Sequence, residues 1–261
     1  MRSYFTINVS VASLYRNGDF DSPVVTQALL GESCTIIDES EKWFRIRQPD
    51  HYEGWINKFY GVISDTPYVP NITCHDLRGV VLSNPNSKVP MRELTFGAKL
   101  SGKKLDQGWA VILPDGIDGW TEANLGENSL DLNRSTVVNL GKKFIGIQYL
   151  WGGKSPKGFD CSGLIQTIFI AMGVVLPRDS GDQSQFFAEQ KIKQENAVPG
   201  DLHFFGHKQT VTHVAMELGN DQYLHCQGWV KEESFSVNHP NYNENLSIIY
   251  KHTVSTEKVF G

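Results

Sequence analysis

The chain has 261 residues, of which 20% are charged and 40% are apolar, and its formal net charge is −5. This composition is typical of soluble globular proteins, and the length allows two or three domains. The acidic balance gives no general attraction to phosphate backbones or anionic lipid, so we expect neither a nucleic-acid partner nor a membrane partner.

Neither the first residues nor the cysteines indicate secretion. The segment from Met1 to Asn8 has no long apolar core, and the apolar stretch from Leu164 to Leu176 is too short to cross a bilayer. The four cysteines are Cys34, Cys74, Cys161 and Cys226. Because they form no disulfide or metal-binding pattern, we predict reduced thiols in a cytoplasmic protein, although a signal removed before residue 1 would leave the same sequence. We expect a monomer.

The N-terminal half contains an internal repeat. In both copies a glycine stands 12 residues before a tryptophan, and a Gly-Trp pair follows. The corresponding residues are Gly31, Trp43, Gly54 and Trp55 in the first copy, and Gly97, Trp109, Gly119 and Trp120 in the second. Alternating segments such as 43–47 and 109–113 predict strands, and five or so short strands in each copy predict a small barrel.

The segment between the repeat and the first catalytic candidate predicts a linker, a helix and a loop. Residues 126–129 predict the linker, and a helix is predicted from Ser135. Its inward side chains are predicted to be Val138, Leu140 and Phe144. The glycines of the loop over residues 151–158 would let a substrate backbone approach closely.

Cys161 stands at the start of a segment with helical periodicity that ends at Gly173. The apolar residues of its buried face are Leu164, Ile165, Ile168, Phe169 and Met172. A thiol in the first turn of a helix feels the positive end of the helix dipole, which favours the nucleophilic thiolate. Cys161 is therefore a candidate nucleophile, although a buried structural cysteine would also fit this segment.

Two histidines downstream complete a possible catalytic site. Residues 210–227 predict a hairpin that turns over three residues, Gly219-Asn220-Asp221. In the register that this turn predicts, the numbers of paired residues sum to 440, so His213 and His225 are diagonal neighbours on one face. One imidazole could accept the thiol proton while the other orients it, and the spacing does not say which. Two unrelated histidines on a half-exposed hairpin are the alternative.

No cofactor or metal is predicted. His203 and His207 are four residues apart, but the residues between them predict strand and turn, which disfavours a zinc site. A glycine loop of the kind that cradles phosphates is also missing from the sequence.

Six short motifs follow one another in the second half of the chain. They are Tyr149-Leu150-Trp151-Gly152-Gly153, Phe159-Asp160-Cys161-Ser162-Gly163-Leu164, Pro177-Arg178-Asp179-Ser180, Pro199-Gly200-Asp201-Leu202 with Phe204-Phe205, Thr212-His213-Val214-Ala215, and Tyr223-Leu224-His225. In this order they resemble the NlpC/P60 family of cell-wall peptidases over residues 135–252. The resemblance implies an α+β papain-like catalytic domain with Cys161 as nucleophile, His213 as base and His225 as the third polar group.

A closer resemblance is to the γ-D-glutamyl-L-diamino acid endopeptidases that carry bacterial SH3-like domains. It implies all-β SH3-like barrels over residues 1–66 and 67–128, and a catalytic domain over residues 129–261. The substrate contacts that it implies are Tyr149, Asp160, Asp179 and Ser180. It further implies a murein peptide substrate, L-Ala-γ-D-Glu-diamino acid, whose free amine is read by a barrel during wall recycling. By residue type alone, Asp179 and Ser180 suit a helix cap equally well.

Two other functions stay open. One is an amidase or acyltransferase of the same fold that acts on a lipid or another amide, for example in wall remodelling. The other is a non-catalytic wall-binding protein with a relict site, which the complete set of Cys161, His213 and His225 disfavours.

Overall fold

The computed structural model describes residues 3–126 and 129–260, and the chain divides into two units at Ser129. Glu127 and Asn128, in the middle of the predicted linker, lie outside the described residues. Within the described part of the chain, helices long and apolar enough to span a membrane are absent.

The N-terminal unit consists of two seven-stranded antiparallel sheets, so each copy has more strands than the five or so predicted. The first sheet contains β1 (Tyr4–Ile7), β2 (Val11–Tyr15), β3 (Val24–Leu29), β4 (Ser33–Glu39), β5 (Trp43–Arg47), β6 (Glu53–Asn57) and β7 (Gly61–Ser64). The second contains β8 (Ile72–Cys74), β9 (Arg78–Leu82), β10 (Pro90–Thr95), β11 (Lys99–Lys104), β12 (Trp109–Ile112), β13 (Asp118–Thr121) and β14 (Leu125–Gly126).

The two sheets have the same topology. The strand order is β3-β2-β6-β5-β4-β1-β7 in the first sheet and β10-β9-β13-β12-β11-β8-β14 in the second. Adding seven to each strand number of the first order gives the second. The sequence repeat is therefore a repeat of structure.

The glycines that mark the repeat form equivalent turns at which the two sheets meet. Gly31 and Gly97 have φ angles of 81° and 86°, a conformation that favours glycine. A Cβ atom on Gly31 would lie 1.8 Å from the carbonyl oxygen of Lys99, whose own N–H donates to Leu30 over 2.8 Å. Leu30 is buried in the core of the second sheet. Gly31 is thus needed for two reasons. Its backbone conformation favours glycine, and a side chain there would clash with the backbone of Lys99 in the second copy.

The C-terminal unit combines helices with an antiparallel sheet. Its helices are α1 (Arg134–Lys143), α2 (Cys161–Ile170), α3 (Ser180–Phe186) and α4 (Glu244–Ile248). Its strands are β15 (Lys154–Ser155), β16 (Gly158–Phe159), β17 (Lys191–Ile192), β18 (Leu202–His207), β19 (Thr210–Gly219), β20 (Gln222–Gln227), β21 (Trp229–Ser234) and β22 (Tyr250–Val254). Six of them form one sheet in the order β17-β22-β18-β19-β20-β21, on which α2 packs through β19 and β20.

Helix α1 begins one residue before the predicted start and presents a slightly different face. Asn133 caps it by accepting a hydrogen bond from the N–H of Thr136 over 2.9 Å. Val137, rather than the predicted Val138, is buried together with Leu140 and Phe144. These three positions lie three and four residues apart along one helical face, from which Val138 is displaced by one residue.

The loop over residues 151–158 contains a short hairpin, β15 with β16, and its glycines serve the protein's own packing. A Cβ atom on Gly153 would lie 2.3 Å from the carbonyl oxygen of Gly158. A Cβ atom on Gly163, in the first turn of α2, would lie 2.1 Å from the carbonyl oxygen of Gly153. The expectation that Gly153 leaves room for a substrate backbone is therefore wrong, because protein backbone fills that space.

Candidate active site

Cys161 is the first residue of α2, as the sequence predicts. Asp160 caps the helix by accepting a hydrogen bond from the N–H of Gly163 over 2.7 Å. Gly173, which has a φ angle of 81°, lies three residues beyond the end of the helix. All five apolar residues of the predicted face are buried. Packing of this face fixes the helix, and the helix start then fixes Cys161, whose exposed fraction is 8%.

Both carboxylate oxygens of Asp160 are occupied by protein groups. Arg178 contacts them in a two-pronged ion pair with distances of 2.7 and 3.0 Å, and the N–H of Gly152 donates over 3.0 Å. The Arg178 guanidinium is 1% exposed. This geometry ties the start of α2 to the preceding loop and favours a positioning role for Asp160. The sequence indicated Arg178 only as part of a motif, because the ion pair joins residues 18 positions apart.

The predicted hairpin forms with the predicted register but with a different turn. Met216 pairs with Leu224, so the paired numbers sum to 440 as predicted. The turn itself has two residues, Asn220 and Asp221, with φ angles of 57° and 60°. Gly219 pairs with Gln222, and a bulge before Gly219 absorbs the difference. The change at the turn therefore does not reach the body of the hairpin.

The hairpin brings His213 and His225 together. Nε2 of His213 lies 2.8 Å from Nδ1 of His225, with the two rings perpendicular, and His225 is fully buried. The Cys161 sulfur accepts a hydrogen bond from the backbone N–H of Val214, the residue that follows His213. The predicted nucleophile therefore lies beside the strand that carries the first of the two histidines.

Burial decides the resting protonation of this group. Burial, reinforced by the Asp160 carboxylate, raises the pKa of the Cys161 thiol to about 11. Burial and the neighbouring His225 lower the pKa of His213 to about 3. At neutral pH these directions favour a neutral thiol beside a neutral imidazole. The backbone N–H of Ser162 at the helix start favours the thiolate, in the predicted direction, but burial outweighs it.

Glu233 contacts the second histidine, although no pattern in the sequence pointed to this residue. One of its oxygens lies 3.0 Å from Nε2 of His225, and Lys231 contacts the other over 2.7 Å. The side-chain amide of Asn243 also donates to it. Burial opposes ionisation of Glu233, but the contacts with these three residues outweigh burial and lower the pKa of Glu233 to about 2. Glu233 is therefore an anion at neutral pH.

The remaining predicted substrate residues occupy different surroundings. Tyr149 is partly buried, and burial, the Cys161 thiol and the Asp160 carboxylate raise its pKa to about 12, which places it near both groups. Asp179 is exposed and occupies the cap position of α3, where its side chain makes no capping hydrogen bond. Ser180 is the first residue of that helix and is partly buried. Asp179 thus has the N-cap position that the alternative predicted, but not the side-chain hydrogen bond of a cap.

The other cysteines and His203 have structural surroundings. All four cysteines are buried, and none forms a disulfide, as predicted. Cys226 lies in the core and donates to the carbonyl oxygen of Phe159 over 3.1 Å. His203 contacts Glu217 over 2.7 Å and Thr253 over 2.8 Å in a buried network. Among residues 3–126 and 129–260, clusters of side chains that could hold a metal ion are absent.

Comparisons with known proteins identify the family of this chain. Residues 146–249 match the NlpC/P60 family, and residues 14–58 match the bacterial dipeptidyl-peptidase Sh3 domain. A gamma-D-glutamyl-L-lysine dipeptidyl-peptidase of Bacillus cereus is 31% identical over 84% of this chain and 72% of its own length. The chain belongs to the NlpC/P60 family. Dipeptidyl-peptidase 6 of Lysinibacillus sphaericus is 28% identical over 91% of this chain and 93% of its own.

A solved structure extends the similarity to the whole fold. The crystal structure of an NlpC/P60 family protein from Bacillus cereus has a TM-score of 0.83 and 25% identity, and the alignment covers 97% of this chain and 99% of that one. Like the other NlpC/P60 proteins, this chain is a cysteine peptidase, a hydrolase, with an SH3-type domain before its catalytic domain.

Proposed function

We propose that this NlpC/P60 protein is an endopeptidase that hydrolyses the γ-D-glutamyl-L-diamino acid amide bond of peptidoglycan-derived peptides. The observation that carries the proposal is the group formed by Cys161 at the start of α2 and the His213–His225 pair beside it. A nucleophile, a base in hydrogen-bond contact with an orienting group, and a helix N-terminus are the components that acyl transfer requires.

In the acylation step, His213 acts as general base. It takes the proton of the Cys161 thiol as the sulfur attacks the γ-carbonyl carbon of D-glutamate. The C–N bond then breaks, and protonated His213 gives its proton to the departing amine of the diamino acid. Since the resting pair is neutral, the proton moves during attack. The positive end of the α2 dipole stabilises the negative charge that develops on the carbonyl oxygen.

In the deacylation step, water hydrolyses the γ-glutamyl thioester. His213, neutral again, accepts a proton from the water as its oxygen attacks the thioester carbon. The C–S bond breaks, the sulfur recovers the proton, and the free γ-carboxylic acid leaves. His225 contacts His213 throughout and keeps its ring in position.

The names of the relatives support the substrate class. Two relatives, of Bacillus cereus and Bacillus subtilis, are named gamma-D-glutamyl-L-lysine dipeptidyl-peptidases. A dipeptidyl-peptidase releases two residues from a free N-terminus. We extend the proposal to peptides with a free N-terminal L-Ala, as they occur in fragments released from the wall, and therefore to a role in murein recycling.

The same proposal covers the domain organisation and the substrate contacts. The domains are two SH3-like barrels, over residues 1–66 and 67–128, and an α+β papain-like catalytic domain over residues 129–261. The shared strand order of the two sheets supports the second barrel. The proposed substrate contacts are Tyr149, Asp160, Asp179 and Ser180. For Asp160, whose oxygens are occupied by Arg178 and backbone N–H groups, we propose an indirect contribution through the position of Cys161.

Product analysis by mass spectrometry tests the proposal. The protein is incubated with L-Ala-γ-D-Glu-L-Lys and with L-Ala-γ-D-Glu-meso-diaminopimelate, each with a free amine and with a muramyl-blocked amine. Release of L-Ala-D-Glu from the free peptides only is the expected result. Equal cleavage of blocked peptides would contradict the free-amine requirement, and cleavage of none would overturn the substrate class.

The variants Cys161→Ala and Cys226→Ala form a matched pair for this assay. Both remove a buried thiol, but the Cys226 thiol donates to a backbone carbonyl in the core. We expect the first variant to lose turnover and the second to keep it. Turnover by Cys161→Ala would refute the assignment of the nucleophile.

A further inference from the structure

We propose that Glu233 is a positioning residue that selects the tautomers of both active-site histidines and so leaves Nδ1 of His213 free to accept the thiol proton. This inference rests on the proposed function of the two histidines. Glu233 does not contact the reacting atoms and acts through His225.

The fold places Glu233 beside His225 from a neighbouring strand. Strand β21 pairs with β20, so that Glu233 lies opposite Tyr223 and its carboxylate reaches Nε2 of His225 over 3.0 Å. The contact is within ion-pair distance although its angle is not that of an ideal hydrogen bond. The Glu233 side chain is 13% exposed, and His225 is fully buried. Solvent therefore screens the contact only weakly.

This contact determines which nitrogen of each imidazole carries the proton. A carboxylate at 3.0 Å repels a nitrogen lone pair and attracts an N–H, so neutral His225 carries its proton on Nε2. Its Nδ1 is then an acceptor, and Nε2 of His213, 2.8 Å away, has to be the donor. Neutral His213 has only one N–H, which leaves its Nδ1 unprotonated. That is the form of His213 that can act as a base.

The charges around Glu233 keep it anionic and in place. Lys231 and the Asn243 amide bind the carboxylate from β21 and from the segment before α4. The other titratable groups that face it are His225 and the phenol of Tyr223, and the phenol of Tyr242 lies near Tyr223. Lys231 opposes a proton on the histidines, whereas Glu233 favours one. The two effects do not cancel, because Glu233 contacts the imidazole and Lys231 reaches it only through the carboxylate.

The same charge stabilises the reaction once it has begun. When His213 accepts the thiol proton, positive charge develops on a ring in contact with His225. Without Glu233, that charge would form in a largely buried position where Lys231 disfavours it. The Glu233 carboxylate is already in place, so it lowers the free-energy cost of forming this charge without any reorganisation of the site.

The test compares Glu233→Gln and Glu233→Ala with Glu232→Gln in the full-length protein. Glu232 is the matched control because it neighbours Glu233 but contacts Lys142, over 3.4 Å, rather than a histidine. We expect kcat to fall by at least about tenfold in both Glu233 variants, with KM little changed. Because Glu233 raises the pKa of both histidines, we also expect the acid limb of the kcat/KM profile to move to lower pH.

Two measurements without substrate distinguish a failure of this inference from a failure of the proposed substrate. Nitrogen-15 NMR of the imidazoles should show the proton on Nε2 of both rings in the wild type and a mixture of tautomers in Glu233→Ala. Alkylation of Cys161 by iodoacetamide at neutral pH should slow in both Glu233 variants. The reacting thiolate forms together with the His213 imidazolium, and both variants remove the Glu233 carboxylate that stabilises this imidazolium. A merely structural defect would do the opposite, because it would expose the buried thiols and speed their alkylation.

Each outcome has one meaning. Slower alkylation, altered tautomers and reduced kcat in the Glu233 variants, with Glu232→Gln unchanged, would support the positioning role. Wild-type tautomers and alkylation rates in Glu233→Ala would overturn it, as would equal effects of Glu232→Gln. A wild-type protein that cleaves no peptide but shows the Glu233-dependent tautomers would overturn the proposed substrate and leave the positioning role standing.

Discussion

Asp160 and Arg178 form an almost wholly buried ion pair beneath the start of the catalytic helix. A buried pair of this kind contributes little net stability compared with apolar residues of similar volume, since both charges have lost their hydration. Removing one partner has a large cost, however, because it leaves an uncompensated charge. The ion pair therefore serves to position the start of α2, because the carboxylate that faces the guanidinium also caps the helix that carries Cys161.

Arg178→Met is expected to lower the free energy of unfolding by about 3–5 kcal/mol, because the Asp160 carboxylate then stays buried without a counter-ion. Urea denaturation followed by circular dichroism measures this change. The double variant Asp160→Asn, Arg178→Met should recover part of the loss. Equal stability of the single and double variants would show that charge compensation is not the reason for the pair.

The pKa of His213 predicts the acid limb of the pH profile. Burial lowers that pKa from 6.5 to about 3, so the imidazole stays unprotonated and able to act as base well below pH 6.5. Activity should therefore persist as pH falls below 6.5 and be lost only where His213 becomes protonated. The measurement is kcat/KM against pH, with unfolding followed in parallel. An acid limb at pH 6.5 or above in folded protein would contradict this expectation.

At the scale of elements, a hairpin register and a close helix–loop contact position the site. The hairpin β19–β20 sets His213 against His225, and its register tolerates the shorter turn because a bulge absorbs one residue. The loop before Cys161 packs directly against α2, where Gly163 meets the carbonyl of Gly153. Both features depend on the path of the backbone. A side chain added at such a contact would therefore displace a whole helix or strand.

Gly163→Ala is expected to lower the free energy of unfolding by about 1–3 kcal/mol and to reduce kcat, because its Cβ atom would push α2 away from the Gly153 carbonyl. Gly181→Ala in α3 is the matched control, since a Cβ atom there meets nothing within 4 Å. The control should gain up to about 1 kcal/mol through helix propensity. Urea denaturation of both variants checks the pair. A neutral Gly163→Ala would mean that the helix and the loop can move apart without cost.

At the scale of the whole molecule, the chain repeats one sheet topology and adds a catalytic unit with a core of its own. Large side chains that are fully buried in the C-terminal unit come from its helix α2 and its sheet, among them Phe169, Phe204 and Tyr223. A unit with its own core can fold by itself. The division at Ser129 therefore predicts where the chain can be separated.

Residues 130–261, expressed alone, are expected to fold and to unfold in one cooperative urea transition, because their core does not need the N-terminal residues. Circular dichroism and tryptophan fluorescence should report the same midpoint. Alkylation of Cys161 in this fragment should have the pH dependence seen in the full chain. Non-coincident transitions, or rapid alkylation of all thiols, would show that the catalytic unit depends on the rest of the protein.

Local patterns in the sequence determined the elements that carry the catalytic candidates. Helical periodicity determined the start of α2 at Cys161, and strand alternation with a turn determined the register that makes His213 and His225 diagonal neighbours. These features could be predicted because each depends on residues close together in the chain. The repeat could be predicted because its glycines and tryptophans recur at one spacing.

Only the tertiary structure decided the surroundings of those residues. The ion pair of Arg178 with Asp160 and the contact of Glu233 with His225 both join segments that become neighbours through packing and strand pairing. Burial, which no local pattern measures, raised the pKa of the Cys161 thiol and outweighed the backbone N–H groups that lower it. The sequence by itself thus determined that Cys161 begins a helix and that His213 and His225 are neighbours. The packed structure decided their protonation and support, because desolvation and contacts between distant segments exist only in the folded chain.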